Sequence, residues 1–246
     1  MQLDLDNFYE SVIRLSKYKS KKNLERHLKY IFGVYDFSNK SILDIGGGLG
    51  LLSIYAAIKG SNATCLEPEA SGSTNGIQNK FNLLSSNLKC KNNISFHSCT
   101  FQDFKHKNNS FDLIVIANAI NHLNENACIN LLKRKSSKLE YDFIFQKMAK
   151  LLKNNGKLII TDCSSSNFFN DIRLKNPLMP SIEWHKHQSP EIWSQLLKQN
   201  GFLNPEVTWT SFNSLGKFGR ILMNNKFINY MTLSHFRLET TLDSIS

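Results

Sequence analysis

A glycine-rich run, residues 43–50 (LDIGGGLG), follows a short apolar segment and precedes an apolar helical stretch. Glycines let a backbone turn sharply and approach a ligand closely. A dinucleotide-binding loop has the spacing G-x-G-x-x-G, which would place its third glycine at position 51. That position is Leu51, and the spacing here is G-x-G-x-G, ending at Gly50. The loop therefore favours a ligand other than a dinucleotide.

Two acidic residues near the loop indicate the charge of the expected ligand. Asp44 lies at the end of a predicted buried strand, two residues before Gly46. A carboxylate there would repel a pyrophosphate, but it would attract a ligand that carries an ammonium and a sulfonium group. Glu67 ends the next predicted strand, where an acid can accept hydrogen bonds from two ribose hydroxyls. A solvated loop residue is the alternative interpretation of Glu67.

The segment after the predicted fourth strand contains Asn118 and His122. In an open parallel sheet the ligand lies at the carboxyl ends of the strands, so both residues are expected near the reacting group. Histidine is the usual general base when a nucleophile must lose a proton. The alternative is that His122 is a helix-start residue bonded to the backbone.

The segment 183–188 contains a second pair of histidines, His185 and His187. In an extended backbone two residues two apart point the same way, so either side chain could deprotonate or hold an acceptor. Trp184 would provide a stacking wall. A metal site is not favoured, because the cluster lacks the spacing of known ligand sets. A surface pair without a role remains the alternative.

Short apolar runs and helical patterns alternate from residue 41 onward, which predicts a doubly wound, mostly parallel, seven-stranded α/β sheet. The last two predicted strands have no helix between them, which predicts an antiparallel C-terminal edge hairpin. We expect an N-terminal helical cap or lid at 1–40 and one domain at 41–246. The predicted strands are 42–45, 63–66, 94–99, 111–117, 157–161, 207–212 and about 229–238.

The ordered series 44–50, 66–68, 110–114 and 151–158 resembles class I S-adenosylmethionine-dependent methyltransferases, of the type 11/12-like kind. The resemblance implies that S-adenosylmethionine is the cofactor. In one departure, the acid that the family often places against the adenine is Thr100 here, so Phe101, Gln102 or Asp103 is expected to supply that contact. The cofactor residues expected are Asp44, Gly46, Gly47, Gly48, Gly50, Glu67, Pro68, Phe101, Gln102 and Asn118.

The composition indicates the general class of protein. The chain has 246 residues, of which 41% are hydrophobic and 20% charged, as in a globular protein. Its five cysteines show no C-x-x-C spacing, and its N-terminus lacks a signal-peptide pattern. We therefore expect a cytoplasmic protein without a membrane span.

The net charge of +10 permits an anionic partner, but lysine outnumbers arginine, so nucleic acid is possible without being favoured. The favoured acceptor is an oxygen or nitrogen of a small molecule or of a glycan or lipid headgroup. An RNA ribose or ring carbon is the alternative; residues 118–121 lack the Asn/Asp-Pro-Pro-aromatic motif of enzymes that methylate base amino groups. An NAD-dependent oxidoreductase and a non-catalytic cofactor-binding module represent other classes. Oligomeric state stays open.

Overall fold

The computed structural model describes residues 2–15, 18–69, 76–86, 88–210 and 224–244. Strands and helices alternate through most of them. The strands are β1 (Ser41–Ile45), β2 (Asn62–Leu66), β3 (Ile94–His97), β4 (Phe111–Ala117), β5 (Leu152–Cys163), β6 (Phe202–Trp209) and β7 (His235–Leu242). The helices are α1 (Gln2–Leu15), α2 (Lys21–Phe32), α3 (Leu51–Ile58), α4 (Ile77–Ser85), α5 (Glu125–Ile129), α6 (Lys135–Leu151), α7 (Phe168–Asp171), α8 (Pro190–Gln199) and α9 (Lys226–Met231).

The seven strands form one sheet in the order β3-β2-β1-β4-β5-β7-β6. β7 is antiparallel to both of its neighbours, and the other six strands run parallel to one another. The order reverses at β1, which pairs with β2 on one side and β4 on the other. Ligands of open α/β sheets bind at such a switch point, beyond the carboxyl ends of the strands. The predicted doubly wound sheet is confirmed.

β4 is buried on both faces of the sheet, which explains why all of its residues except Asp112 are apolar. Its alternate residues enter two different cores. Ile114 and Ile116 pack with residues of α5, α6 and α8. Leu113 and Val115 pack with residues of α1 to α4 on the opposite face.

The prediction for the C-terminal strands is partly wrong. Residues 226–231 form α9, so a helix does separate the last two strands, and the final strand begins at His235 rather than at 229. Asn225 explains the helix start, because its side-chain oxygen accepts a hydrogen bond from the Ile228 backbone N–H. β6 begins at Phe202, earlier than the predicted 207, and position 212 lies outside the described residues. β6 and β7 do pair antiparallel, with β6 at the sheet edge.

The N-terminal helices contribute to the same core as the sheet. Phe8 of α1 and Leu28 of α2 are fully buried together with Ile42 of β1. The Arg237 side chain of β7 donates a hydrogen bond to the Ile31 carbonyl of α2 at 2.7 Å. A boundary at residue 40 and a lid role stay predictions. In the described part of the chain, no helix has the length and apolar content needed to cross a bilayer.

Candidate active site

The glycine loop turns from β1 into α3 against the end of β2. The backbone N–H groups of Gly46 and Gly47 both donate to the Leu66 carbonyl, at 2.9 and 3.0 Å. A Cβ at Gly47 would lie 2.6 Å from the Cys65 sulfur and 2.7 Å from Asp44 Oδ2, so only glycine fits this approach. Gly48 adopts φ +55, and a Cβ there would meet no described atom within 4 Å. The loop is therefore closely packed at Gly47, against Cys65 and Asp44, and open at Gly48.

Asp44 lies below this loop and is 1% exposed. Its Oδ2 accepts hydrogen bonds from the Ser53 hydroxyl at 2.8 Å and the Ser53 backbone N–H at 3.2 Å. Its Oδ1 is buried without a hydrogen-bond partner among the described residues. Burial raises the pKa of Asp44 from 3.8 to about 7, although the Ser53 hydrogen bonds oppose the rise.

Glu67 lies at the tip of the neighbouring strand, since Leu66 of β2 pairs with Ile45 of β1. Its Oε2 accepts a hydrogen bond from the Gly48 backbone N–H at 2.9 Å. Partial burial raises the pKa of Glu67, and the Gly48 hydrogen bond partly offsets this rise. The two carboxylates therefore lie at the same edge of the sheet, on either side of the glycine loop.

A cavity of about 690 Å³ opens above these residues, at the ends of β1, β2 and β4. This volume suits a nucleoside-sized ligand. Among the predicted cofactor residues, those lining the cavity are Gly46, Glu67, Pro68, Phe101, Gln102 and Asn118. Asp44, Gly47, Gly48 and Gly50 are not lining residues and form the loop and its support.

One wall of the cavity is the segment 99–102 after β3, where an adenine contact was predicted. Of the three candidates, Phe101 and Gln102 line the cavity. The Asp103 carboxylate accepts a hydrogen bond from the Thr100 hydroxyl at 2.6 Å. Because Asp103 does not line the cavity, Phe101 and Gln102 remain the candidates for the adenine contact.

Lys147 of α6 binds the backbone of this segment. Its ammonium donates to the carbonyls of Phe101, Gln102 and Phe104 at 2.7, 2.9 and 2.7 Å. It also lies 5.0 Å from the centre of the Phe101 ring. Partial burial lowers the pKa of Lys147. The sequence carried no signal for this role, because the partners lie more than forty positions away.

The rim of the cavity also carries ionisable side chains. His122 lies in a 3₁₀ turn, Asn121–Asn124, and its Nδ1 is 3.3 Å from Glu125 Oε2. Lys186 lines the same rim and forms ion pairs with Glu125 at 3.0 Å and Glu183 at 2.9 Å. Sequence reasoning singled out the segment 183–188 for its histidines and missed Lys186 between them.

The prediction that His185 and His187 point the same way is wrong, because Trp184–Lys186 forms a 3₁₀ turn instead of an extended strand. His185 is exposed, and neither histidine lines the cavity. His187 instead faces inward, with its Nδ1 3.1 Å from the buried carboxylate of Asp162.

Asn118 follows the last residue of β4 in a left-handed conformation, φ 54. His235 Nε2 lies 2.8 Å from Asn118 Oδ1, and the Tyr30 hydroxyl lies 3.5 Å from His235 Nδ1. Burial lowers the pKa of His235 to about 4, against the opposing charge of Asp162, so the ring is neutral at pH 7. A neutral ring that donates from Nε2 must accept at Nδ1, where the phenol donates. The Asn118 amide N–H groups are then left for a ligand.

These observations fit S-adenosylmethionine. The charge of the buried Asp44 carboxylate favours a ligand with an ammonium group, and Glu67 lies where ribose hydroxyls are bound in this class of fold. The space above Gly48 leaves room for close approach of the ligand to the backbone.

Comparisons with known proteins agree with an S-adenosylmethionine site. A family model described as a methyltransferase domain matches residues 36–201. No curated protein matches the chain in sequence.

Among solved structures, a Listeria monocytogenes protein described as an S-adenosylmethionine-dependent methyltransferase has a TM-score of 0.62 and 15% identity, over 90% of this chain and 97% of that one. A methyltransferase of the same description from Mesorhizobium loti has a TM-score of 0.59 and 11% identity, over 89% and 97%. Phosphoethanolamine N-methyltransferase 2 of Haemonchus contortus, in complex with phosphomonomethylethanolamine and S-adenosylhomocysteine, has a TM-score of 0.61 and 16% identity. That match covers 98% of this chain but 58% of the nematode protein.

At such identities the structural likeness concerns the fold, whereas the family match spans most of the chain. The oxidoreductase alternative is thereby removed. The chain belongs to the methyltransferase domain family and is a class I S-adenosylmethionine-dependent methyltransferase.

Proposed function

We propose that this enzyme methylates an oxygen or nitrogen of a small molecule or of a glycan or lipid headgroup. The observation that carries the proposal is one cavity lined by two kinds of residue. Glu67, Phe101 and Gln102 suit a nucleoside, and Asn118 and His122 suit an acceptor. A cytoplasmic location is part of the proposal and is consistent with five cysteines that form no disulfide.

The cofactor-side residues have distinct roles in this proposal. Glu67 binds the ribose hydroxyls, and its hydrogen bond to Gly48 orients the carboxylate. The Asp44 carboxylate, held by Ser53 beneath the glycine loop, attracts the ammonium group by its charge rather than by direct contact. Phe101 and Gln102 contact the adenine. S-adenosylmethionine, when bound, supplies a methyl group already activated by its sulfonium.

The chain must also align the acceptor and manage its proton. Glu125 binds Nδ1 of His122, which leaves Nε2 to take a proton from an acceptor hydroxyl or from an ammonium group, which thereby becomes the nucleophilic amine. Asn118 offers amide N–H groups to an acceptor oxygen, because His235 occupies its carbonyl oxygen. Lys186 forms ion pairs with Glu125 and Glu183, and the first of these holds Glu125 next to His122. His187, bonded to Asp162, is a positioning residue in this proposal, and His185 has no contact that supports a catalytic role.

The N-terminal helices are proposed to cover the acceptor side. Tyr30 of α2 approaches His235, which in turn binds Asn118 at the cavity. This connection supports the predicted cap at residues 1–40.

An RNA ribose or ring carbon is the alternative acceptor, supported by the net charge of +10. RNA binding that weakens steeply with salt would favour this alternative.

The test is a screen of acceptors for release of S-adenosylhomocysteine, beginning with anionic metabolites, phosphorylated amines and sugar intermediates. Calorimetry first establishes binding of S-adenosylhomocysteine to the wild-type protein. Glu67→Ala should weaken this binding at least about tenfold, by loss of charge-assisted ribose hydrogen bonds. His122→Ala should leave binding intact and lower turnover about a hundredfold. Full binding by the Glu67 variant, or unchanged turnover by the His122 variant, would contradict the assigned roles.

A further inference from the structure

A second cavity, of about 460 Å³, shares no lining residue with the cofactor cavity. It lies where β5 and β6 end and where α8 and α9 begin, because its lining includes Ser164, Ser189, Trp209 and Lys226. β6 runs parallel to β5, since both strands are antiparallel to β7. The second cavity is therefore at the same edge of the sheet as the cofactor cavity, beyond the ends of other strands.

Three aromatic side chains line the second cavity: Trp209, Phe227 and Tyr230. Tyr230 is fixed in place, because its hydroxyl donates to the Asp171 carboxylate at 2.9 Å and the Phe168 ring packs at 77° to its own. Phe227 is 73% exposed, so its ring is free to contact a ligand. Aromatic faces carry partial negative charge, and C–H groups of a ligand pack favourably against them.

The charged part of the lining is an ion pair. Among the described residues that line the cavity, Glu191 and Lys226 are the charged ones, and Lys226 Nζ lies 2.7 Å from Glu191 Oε1. Both side chains are more than half exposed. The pair therefore carries no net charge, but it offers one acceptor and one donor side by side.

The remaining polar lining consists of serine hydroxyls, at Ser164, Ser166 and Ser189. Ser164 is 0% exposed, and its Oγ accepts from the Ser166 backbone N–H at 3.2 Å. Among the described residues, no acceptor takes the hydrogen of the Ser164 hydroxyl. This hydroxyl is available as a donor to a ligand.

These features select among classes of ligand. A cation or an anion would meet no uncompensated charge, because Glu191 and Lys226 bind each other. A purely apolar ligand would cover the ion pair and the hydroxyls without bonding them, which is costly. A pyranose ring has C–H groups for the aromatic faces, and its hydroxyls both donate and accept, so it matches Glu191 and Lys226 together.

We propose that the second cavity binds a neutral sugar ring of a glycan acceptor. The segment 186–189 joins the two cavities, because Lys186 lines the first and Ser189 lines the second. Three residues of chain span at most about 11 Å, so the two linings approach each other closely. The assignment rests on the proposed function and deepens it, since it selects a glycan among the proposed acceptors.

The first test is acrylamide quenching of tryptophan fluorescence in the full chain. Of the three tryptophans, Trp184 is 7% exposed and Trp193 0%, whereas Trp209 is partly exposed and lines the cavity. Quenching therefore reports mainly on Trp209. The methyl glycosides of glucose, galactose and N-acetylglucosamine are the probes, and at least one should lower the quenching in a saturable way. Choline, inorganic phosphate and cyclohexanol should leave it unchanged, because they are a cation, an anion and an alcohol with a single hydroxyl.

Two variants test the lining, and both keep Trp209 as the reporter. Phe227→Ala should weaken binding of the pyranoside at least about tenfold through loss of one aromatic face. Glu191→Gln with Lys226→Met leaves the net charge of the chain unchanged and removes both charged partners, so it should weaken binding by at least about tenfold as well.

Each variant has a matched control elsewhere on the surface. Phe143→Ala removes a ring on α6 that is 65% exposed and does not line the cavity. Asp6→Asn with Lys21→Met removes another exposed ion pair of 2.7 Å. Both controls should bind the pyranoside like the wild type, and all four variants should bind S-adenosylhomocysteine normally.

The proposal is overturned if no pyranoside shields Trp209 in the wild type, or if choline or phosphate shields it equally well. An equal loss of binding in a variant and its control would also overturn it. Normal binding of S-adenosylhomocysteine in such a case would leave the proposed methyltransferase function standing. Pyranoside binding without methylation of any glycoside would overturn the assignment of this cavity to the acceptor.

Discussion

The buried carboxyl of Asp44 predicts an unusual pH dependence of stability. It is 1% exposed, and burial raises its pKa from 3.8 to about 7. Between these values the folded protein holds a proton that the unfolded chain has lost. The free energy of unfolding therefore falls as pH rises from about 4 to 7 and stays lower above that. The carboxylate destabilises the ligand-free protein at neutral and higher pH.

The substitution Asp44→Asn removes this titration. At about 1.4 kcal/mol per pH unit, the Asp44 contribution falls by about 3 kcal/mol between about pH 5 and about pH 8. The free energy of unfolding of the ligand-free variant should lack this fall. Urea unfolding of both proteins at the two pH values measures the difference, and the subtraction cancels titrations that the proteins share.

A matched control is Asp112→Asn. Asp112 is only partly buried, and hydrogen bonds from Lys153 at 2.7 Å and the Ser41 N–H at 2.9 Å outweigh that burial and lower its pKa. Asp112 is ionised in both states at the two test values, so its substitution should change stability equally at each. Equal pH slopes for the wild type and Asp44→Asn would refute the reasoning.

The same variant tests the attraction of the ligand separately. Asparagine cannot attract an ammonium group as a carboxylate does, so binding of S-adenosylhomocysteine should weaken about tenfold or more. Calorimetry at about pH 8, where the carboxyl of the wild-type protein is largely ionised, gives the clearest comparison. Unchanged affinity would remove Asp44 from the proposed ammonium site without affecting the stability prediction.

Two further substitutions test residues that support the lining of the cavity. Lys147→Met removes the donor to three carbonyls of the 101–104 segment, so it should weaken S-adenosylhomocysteine binding about tenfold and lower stability by about 2 kcal/mol, and Lys147→Arg should recover part of both. Calorimetry and urea unfolding check this, and a methionine variant that behaves like the wild type would contradict it. Gly47→Ala places a Cβ 2.6 Å from the Cys65 sulfur and should destabilise the protein by about 2 kcal/mol in urea unfolding. Adding Cys65→Ala should recover part of the loss, and failure to do so would leave the contact with Asp44 as the cause.

Local patterns were sufficient to predict most of the sheet. The apolar run 113–117 of β4 predicts a buried strand, and the glycine loop after β1 predicts a tight turn. Both predictions need only residues that are adjacent in the sequence. The exception was the segment 226–231, where the Asn225 cap starts a helix within a sequence that read as a strand. Asparagine in a cap position and asparagine in a loop look alike until the backbone N–H that it accepts from is known.

The sequence by itself determined the fold class, the cofactor loop and the two strand-end acids. The fold class and the loop depend on residues that are close together in the chain. The two acids could be placed together because parallel strands have their carboxyl ends at the same edge of the sheet. Only the tertiary structure decided that Lys147 supports the 99–104 segment, that Lys186 and not His185 reaches the cavity, and that His235 orients Asn118 across 117 positions. Those contacts join side chains from elements distant in sequence, and their geometry follows from how the elements pack. No local sequence pattern predicts such packing.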